Sequence, residues 1–76
     1  MEMRFENMVW NNSVSTVFTV DAIVGDERKR VKFNLYGVPE DNVPFEIRCT
    51  LFAAFGNKVT DYATPAQEIL RMFRVM

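Results

Sequence analysis

The residues in this chain that could carry chemistry are few, and their spacing gives them little to do together. Cys49 is the one thiol, and histidine is absent. Acid–base catalysis near neutral pH most often recruits histidine, so the commonest proton carrier is missing. A cysteine becomes a nucleophile only where something lowers its pKa. Cys49 stands between Ile47 and Leu51 in an alternating run, a context that predicts a buried structural thiol. With one cysteine and no histidine, no intrachain disulfide and no Cys/His zinc pattern can be written. The acidic pairs Asp26-Glu27 and Glu40-Asp41 fall in predicted turns, where carboxylates are ordinary solvated residues. Gly25, Gly37 and Gly56 are scattered singly, so no phosphate-cradling or dinucleotide fingerprint is present. The expectation is a protein that is not an enzyme and uses no cofactor, metal or small-molecule substrate.

One charge cluster remains. Arg28-Lys29-Arg30, with Lys32 beyond it, would alternate on a strand, sending Arg28, Arg30 and Lys32 to one face and Lys29 to the other. Beside Trp10, Tyr36 or Tyr62, such a face could bind single-stranded nucleic acid by phosphate neutralisation and base stacking. Asp26 and Glu27 directly precede the cluster, however, and the net charge is −1. Cations on a hairpin also protect an edge strand from aggregation. Nucleic-acid binding through Arg28, Lys29, Arg30 and Lys32 therefore stands as the alternative reading.

The leading reading comes from an apolar surplus. The chain is 49% hydrophobic and 13% aromatic over 76 residues. A domain this small buries only about 60–65% of the surface its unfolded chain exposes. Trp10, seven Phe and five Met cannot all be hidden in it. Some apolar surface is expected to meet a protein partner or a second copy, as a homodimer, an accessory subunit or a small inhibitor of the kind phages encode. The candidate interface residues are Trp10, Met72, Val75 and Met76, with Phe52 and Phe55 behind them. No signal peptide is readable in the alternating N-terminus, and the longest apolar run, Leu51 to Phe55, is far too short to span a membrane. A cytoplasmic location is the expectation.

The elements that must position these residues read as one α+β domain over residues 1–76. Strands are expected over Glu2–Trp10, Val14–Val24 and Arg30–Tyr36, joined by Asn11-Asn12-Ser13 and by Gly25-Asp26. Within the second, Phe18, Val20, Ala22 and Val24 share one face, with Thr19, Asp21 and Ile23 on the other. Residues 37–42 form a loop. The run Phe45-Glu46-Ile47-Arg48-Cys49-Thr50-Leu51 alternates apolar and polar, which favours a fourth strand followed by a Gly56-Asn57 turn into Lys58–Tyr62. Phe45, Cys49, Phe52 and Phe55 also sit at helical spacing, with Gly56-Asn57 as a helix C-cap. The C-terminus is a helix with Thr64 as N-cap, Pro65 at the first helical position, Gln67 completing a capping box with Thr64, and Ala66, Ile69, Leu70, Phe73 and Met76 on one face. Its apolar arc extends through Met72 and Val75, wider than a single packing face needs. The preferred architecture is an antiparallel meander of four to five strands on one C-terminal helix. The alternative is three strands and two helices.

Overall fold

The computed structural model describes residues 3–11, 13 and 16–75, the last of these without its side chain. The strands β1 (Met3–Trp10), β2 (Val17–Val24) and β3 (Glu27–Asn34) form an antiparallel sheet in the order β1-β2-β3. Two helices follow, α1 (Val43–Phe55) and α2 (Ala63–Val75). The architecture is thus α+β with three strands and two helices, the alternative and not the preferred meander. The fourth strand expected across residues 45–51 is the middle of α1. The strand expected over Lys58–Tyr62 is the connection between the helices, opening with a 3-10 turn at Gly56–Lys58.

The reason lies in a degeneracy of the pattern. Residues i and i+2 share a face on a strand but stand about 200° apart on a helix. Strict alternation of apolar residues therefore draws one stripe on a strand and two nearly opposite stripes on a helix. In α1 the line Val43, Ile47, Leu51 and Phe55 is buried, while Phe45, Cys49 and Phe52 point outward. The N-terminal signal was present in Pro44, which sits in the first turn, where its missing N–H costs nothing. Gly56 ends the helix at φ +57°, a conformation that other residues adopt only with strain.

The second and third strands keep the expected faces, but β3 runs Glu27–Asn34 and not over the expected Arg30–Tyr36, so Glu27, expected in a turn, lies half-buried in the strand. Gly25, at φ +59°, makes the two-residue β2–β3 connection, with Val24 paired to Glu27 across it. Phe18, Val20, Ala22 and Val24 face the core, opposite Phe33, Val31 and Lys29 on β3. In β1 the core positions change parity, from Met3 and Phe5 to Met8 and Trp10. A β-bulge between Glu6 and Val9 absorbs the change, and Asn7 occupies it at φ +56°. Asparagine tolerates that region better than most residues, and the bulge lets both halves of β1 aim their apolar side chains inward.

A single core cluster joins the sheet, both helices and Val59. Phe18 stacks on Phe33 at 5.0 Å between ring centroids, and Phe73 of α2 lies 6.1 Å from both Phe18 and Trp10. Since α1 packs against both β3 and α2, it takes up side chains of α2 that the expected meander left uncovered. Met72 is partly buried against the core.

The start of α2 also differs from expectation. Asp61, not Thr64, supplies the capping side chain: its Oδ1 accepts the N–H groups of Ala63 (2.9 Å) and Thr64 (3.3 Å). The Thr64 hydroxyl adds a bond to the same carboxylate, the largest cause of its lowered pKa. Thr64 therefore sits at the third position after the cap. Asp61→Ala should fray α2 and lower Tm by roughly 5 °C, with Asp61→Asn recovering most of the loss, as thermal melts followed by circular dichroism would report.

Candidate functional site

Two surfaces carry the candidate residues. The first is the outer face of the sheet, where cross-strand register sets Glu6, Asp21 and Arg30 in one row. Asp21 is buried at the centre of this face although it is charged. Its Oδ2 accepts from Asn7 Nδ2 at 3.0 Å and from Arg28 Nη1 at 3.1 Å, and its Oδ1 lies 3.2 Å from Arg30 Nε. Arg28 also reaches Glu6 at 2.8 Å. The Asn7 hydrogen bond, followed by the fields of Arg30 and Arg28, holds the Asp21 carboxyl below its ordinary pKa. Ile23, also buried here, is flanked in register by Arg4 and Arg28, whose aliphatic stems are long enough to screen it.

The basic cluster alternates as expected, but most of it is already engaged. Arg28 and Arg30 are tied to Asp21 and Glu6, leaving Lys32 as the cluster member without an ion pair among the described residues. Lys29 points to the core side. Its Nζ donates to the Ala54 carbonyl at 2.5 Å, sits 5.4 Å from the Phe55 ring centroid and pairs with Glu27 at 3.4 Å. It thereby satisfies one of the orphan carbonyls at the C-terminal end of α1, where positive charge is favoured. Glu27 is held below its ordinary pKa chiefly by Lys58, at 2.7 Å.

These depressed carboxylates fix the sign of an acid effect. A group whose pKa is lower folded than unfolded adds stability above its unfolded pKa, and that stability is lost as pH falls through the folded value. Asp21, Glu27 and Asp61 should therefore give an acid limb that begins near pH 4–5 and continues downward. With no histidine to titrate, stability should be flat between about pH 5.5 and 7.5. Urea midpoints from about pH 2 to pH 7.5 would check both statements, and Asp21→Asn should make the acid limb shallower.

The second surface is the outward stripe of α1. Phe45 is 62% exposed and Phe52 53%, large values for phenylalanine. Together with Arg48, Cys49 and Tyr62 they line a shallow concavity of about 250 Å³. Tyr62 meets Phe52 edge-on at 5.6 Å and donates its hydroxyl to the Gly56 carbonyl at 2.6 Å, which pins the inter-helix connection beside the stripe. Burial of Tyr62 raises its phenol pKa, so the hydroxyl stays protonated as a donor. Cys49 is exposed at the middle of this stripe, not buried as its alternating context suggested. The helical geometry that buries Ile47 and Leu51 turns Cys49 outward.

The structure spreads the sequence-derived interface candidates widely. Among the described candidates, Phe52 alone is exposed. Trp10 is half-buried, 4.5 Å from Phe18 between ring centroids. Phe55, 3% exposed, belongs to the core, a correction to its place among surface candidates. Met72 is partly buried, and the Val75 side chain and Met76 lie outside the described residues. Phe45 was missed as a surface candidate. Its signal was the i, i+4, i+7 spacing of Phe45, Cys49 and Phe52, legible only once the segment is read as a helix. No described helix is long and apolar enough to cross a membrane. Compared with protein-family models, curated proteins and solved structures, the chain matches none.

Proposed function

We propose that this protein is a non-catalytic protein-binding module that acts through the outer face of α1. The observation that carries the reading is the contiguity of Phe45, Cys49 and Phe52 on one side of α1 with Tyr62 of the inter-helix connection beside them. Scattered exposed apolar residues are normal, whereas two half-exposed phenylalanines sharing a concavity with a tyrosine resemble the aromatic anchors of interfaces. Among the described residues, the other exposed large apolar side chains, Val9 and Tyr36, lie outside α1. Binding here requires no group transfer and no cofactor. The basic sheet face supports the nucleic-acid alternative less well, because a phosphate would have to compete with Asp21 and Glu6 for Arg28 and Arg30.

A photoreactive amino acid at position 52, compared with one at position 32, tests the choice. The expected result is a discrete, saturable protein adduct at 52 that Phe45→Glu abolishes. A salt-dependent nucleic-acid adduct at 32, with none at 52, would overturn the reading in favour of the alternative.

A further inference from the structure

The middle of α1 owes its helical form to packing more than to its own residues. Phe45, Ile47, Cys49 and Thr50 are weaker helix formers, and Phe, Ile and Thr are favoured in strands. Pro44 and Ala53-Ala54, which favour a helix, lie toward its ends. No side chain caps its N-terminus, and no basic residue stands in its last turn. Glu46 and Arg48 are two apart and do not face each other on a helix. No residue of α1 forms an ion pair among the described residues. The Thr50 hydroxyl donates back to the Glu46 carbonyl at 2.9 Å, a bond that slightly weakens a helix. The supports are tertiary: burial of Val43, Ile47, Leu51 and Phe55, and Lys29 of β3 on the Ala54 carbonyl. At 13 residues, α1 is too short to persist without them.

The same segment carries a complete strand pattern. Over residues 45–51, Phe45, Ile47, Cys49 and Leu51 would share one face and Glu46, Arg48 and Thr50 the other. The run contains no Pro or Gly, and its two charges cancel, which is the composition of segments that stack into cross-β assemblies. We infer that α1 is a helix only while it is packed, and that on release residues 45–51 become a strand that pairs with the same segment of other copies. The charges select the pairing. In a parallel, in-register stack Glu46 would meet Glu46 and Arg48 would meet Arg48, which is repulsive. In an antiparallel pair centred on Ile47, Glu46 of each strand faces Arg48 of its neighbour, and Phe45 faces Cys49. The native core therefore acts as the restraint on a helix-to-strand switch. This inference stands apart from the binding reading above, because it concerns chains whose α1 has left the core.

The test holds the full chain, reduced and agitated, at the temperature that unfolds half of it. The expected product is fibrous. Its infrared amide band moves from helix to β, its diffraction shows the strand spacing of about 4.7 Å, and its protease-resistant core contains residues 45–51. Phe45→Lys with Cys49→Lys is the deciding variant. Both side chains are exposed on the helix, so native far-UV circular dichroism should be unchanged. On the strand both would join Ile47 and Leu51 on the apolar face, so assembly at the variant's own midpoint should be lost. Val9→Lys with Tyr36→Lys adds the same charge at other exposed positions and should assemble like the unaltered chain. A variant that folds poorly enters the assay already unfolded, so the comparison still holds. Arg48→Glu should slow assembly, and adding Glu46→Arg should restore it by exchanging the paired charges. Persistent solubility, amorphous precipitate, a resistant core outside residues 45–51, or unimpaired assembly of the 45/49 variant overturns the inference. Failure of the charge exchange to restore assembly overturns the antiparallel pairing.

Discussion

Replacing Leu51 with alanine should cost about 3 kcal/mol, and replacing Phe45 with alanine should cost almost nothing. Leu51 and Ile47 are fully buried in the face of α1 that meets the sheet and α2, so truncation leaves a cavity with little room to collapse. Phe45 is largely in water and makes no ring contact among the described residues, so its loss should stay within roughly 0.5 kcal/mol. The contrast is informative because the two residues have equal standing in the alternating pattern. On a strand, Phe45, Ile47, Cys49 and Leu51 would share one face and be similarly costly to truncate. On α1 the expected order is Leu51 and Ile47 large, Phe45 and Cys49 small. Urea unfolding followed by Trp10 fluorescence would give all four values. A chain of this length has roughly 4–11 kcal/mol of total stability, so the two large losses should move the midpoint far.

The second large effect concerns β1. Deleting Val9, which is exposed, should destabilise the domain by roughly 3–5 kcal/mol, whereas deleting Asn7 should cost about 1 kcal/mol. Asn7 is the extra residue of the bulge. Removing it leaves Met3, Phe5, Met8 and Trp10 in regular alternation and sacrifices one hydrogen bond to Asp21. Removing Val9 cancels the bulge in the wrong place. Asn7 would then face the core opposite Val20, with Met8 turned to solvent, or Trp10 would leave its stack on Phe18 and Phe73. Either outcome buries a polar group or strips an aromatic from the core. Far-UV circular dichroism and denaturant midpoints of the two deletions would decide it, and equal losses would refute the bulge assignment.

Both predictions turn on how a one-dimensional pattern maps to faces. The β2–β3 hairpin was legible because β-branched residues, a consistent period of two and Gly25-Asp26 all agree. The C-terminal helix was legible from Pro65 and the spacing of Ala66, Ile69, Leu70 and Phe73, although its cap lay earlier, at Asp61. The Met8 and Trp10 positions of β1 already broke parity with Met3 and Phe5, but only pairing with β2 shows that a bulge resolves the break.

The sequence by itself pointed to the first three strands, the terminal helix, the alternation of the basic cluster and the surplus of large apolar residues, but not to the strand order. Over residues 45–51 it favoured a strand, wrongly, because alternation suits a strand with one buried face and also fits a helix with two apolar stripes. The tertiary structure decided between them. Burying Val43, Ile47, Leu51 and Phe55 against β3 and α2 completes one core, and a helix can do this only by leaving Phe45, Cys49 and Phe52 outside. The candidate site is the physical remainder of that choice, which is why it became visible only with the fold.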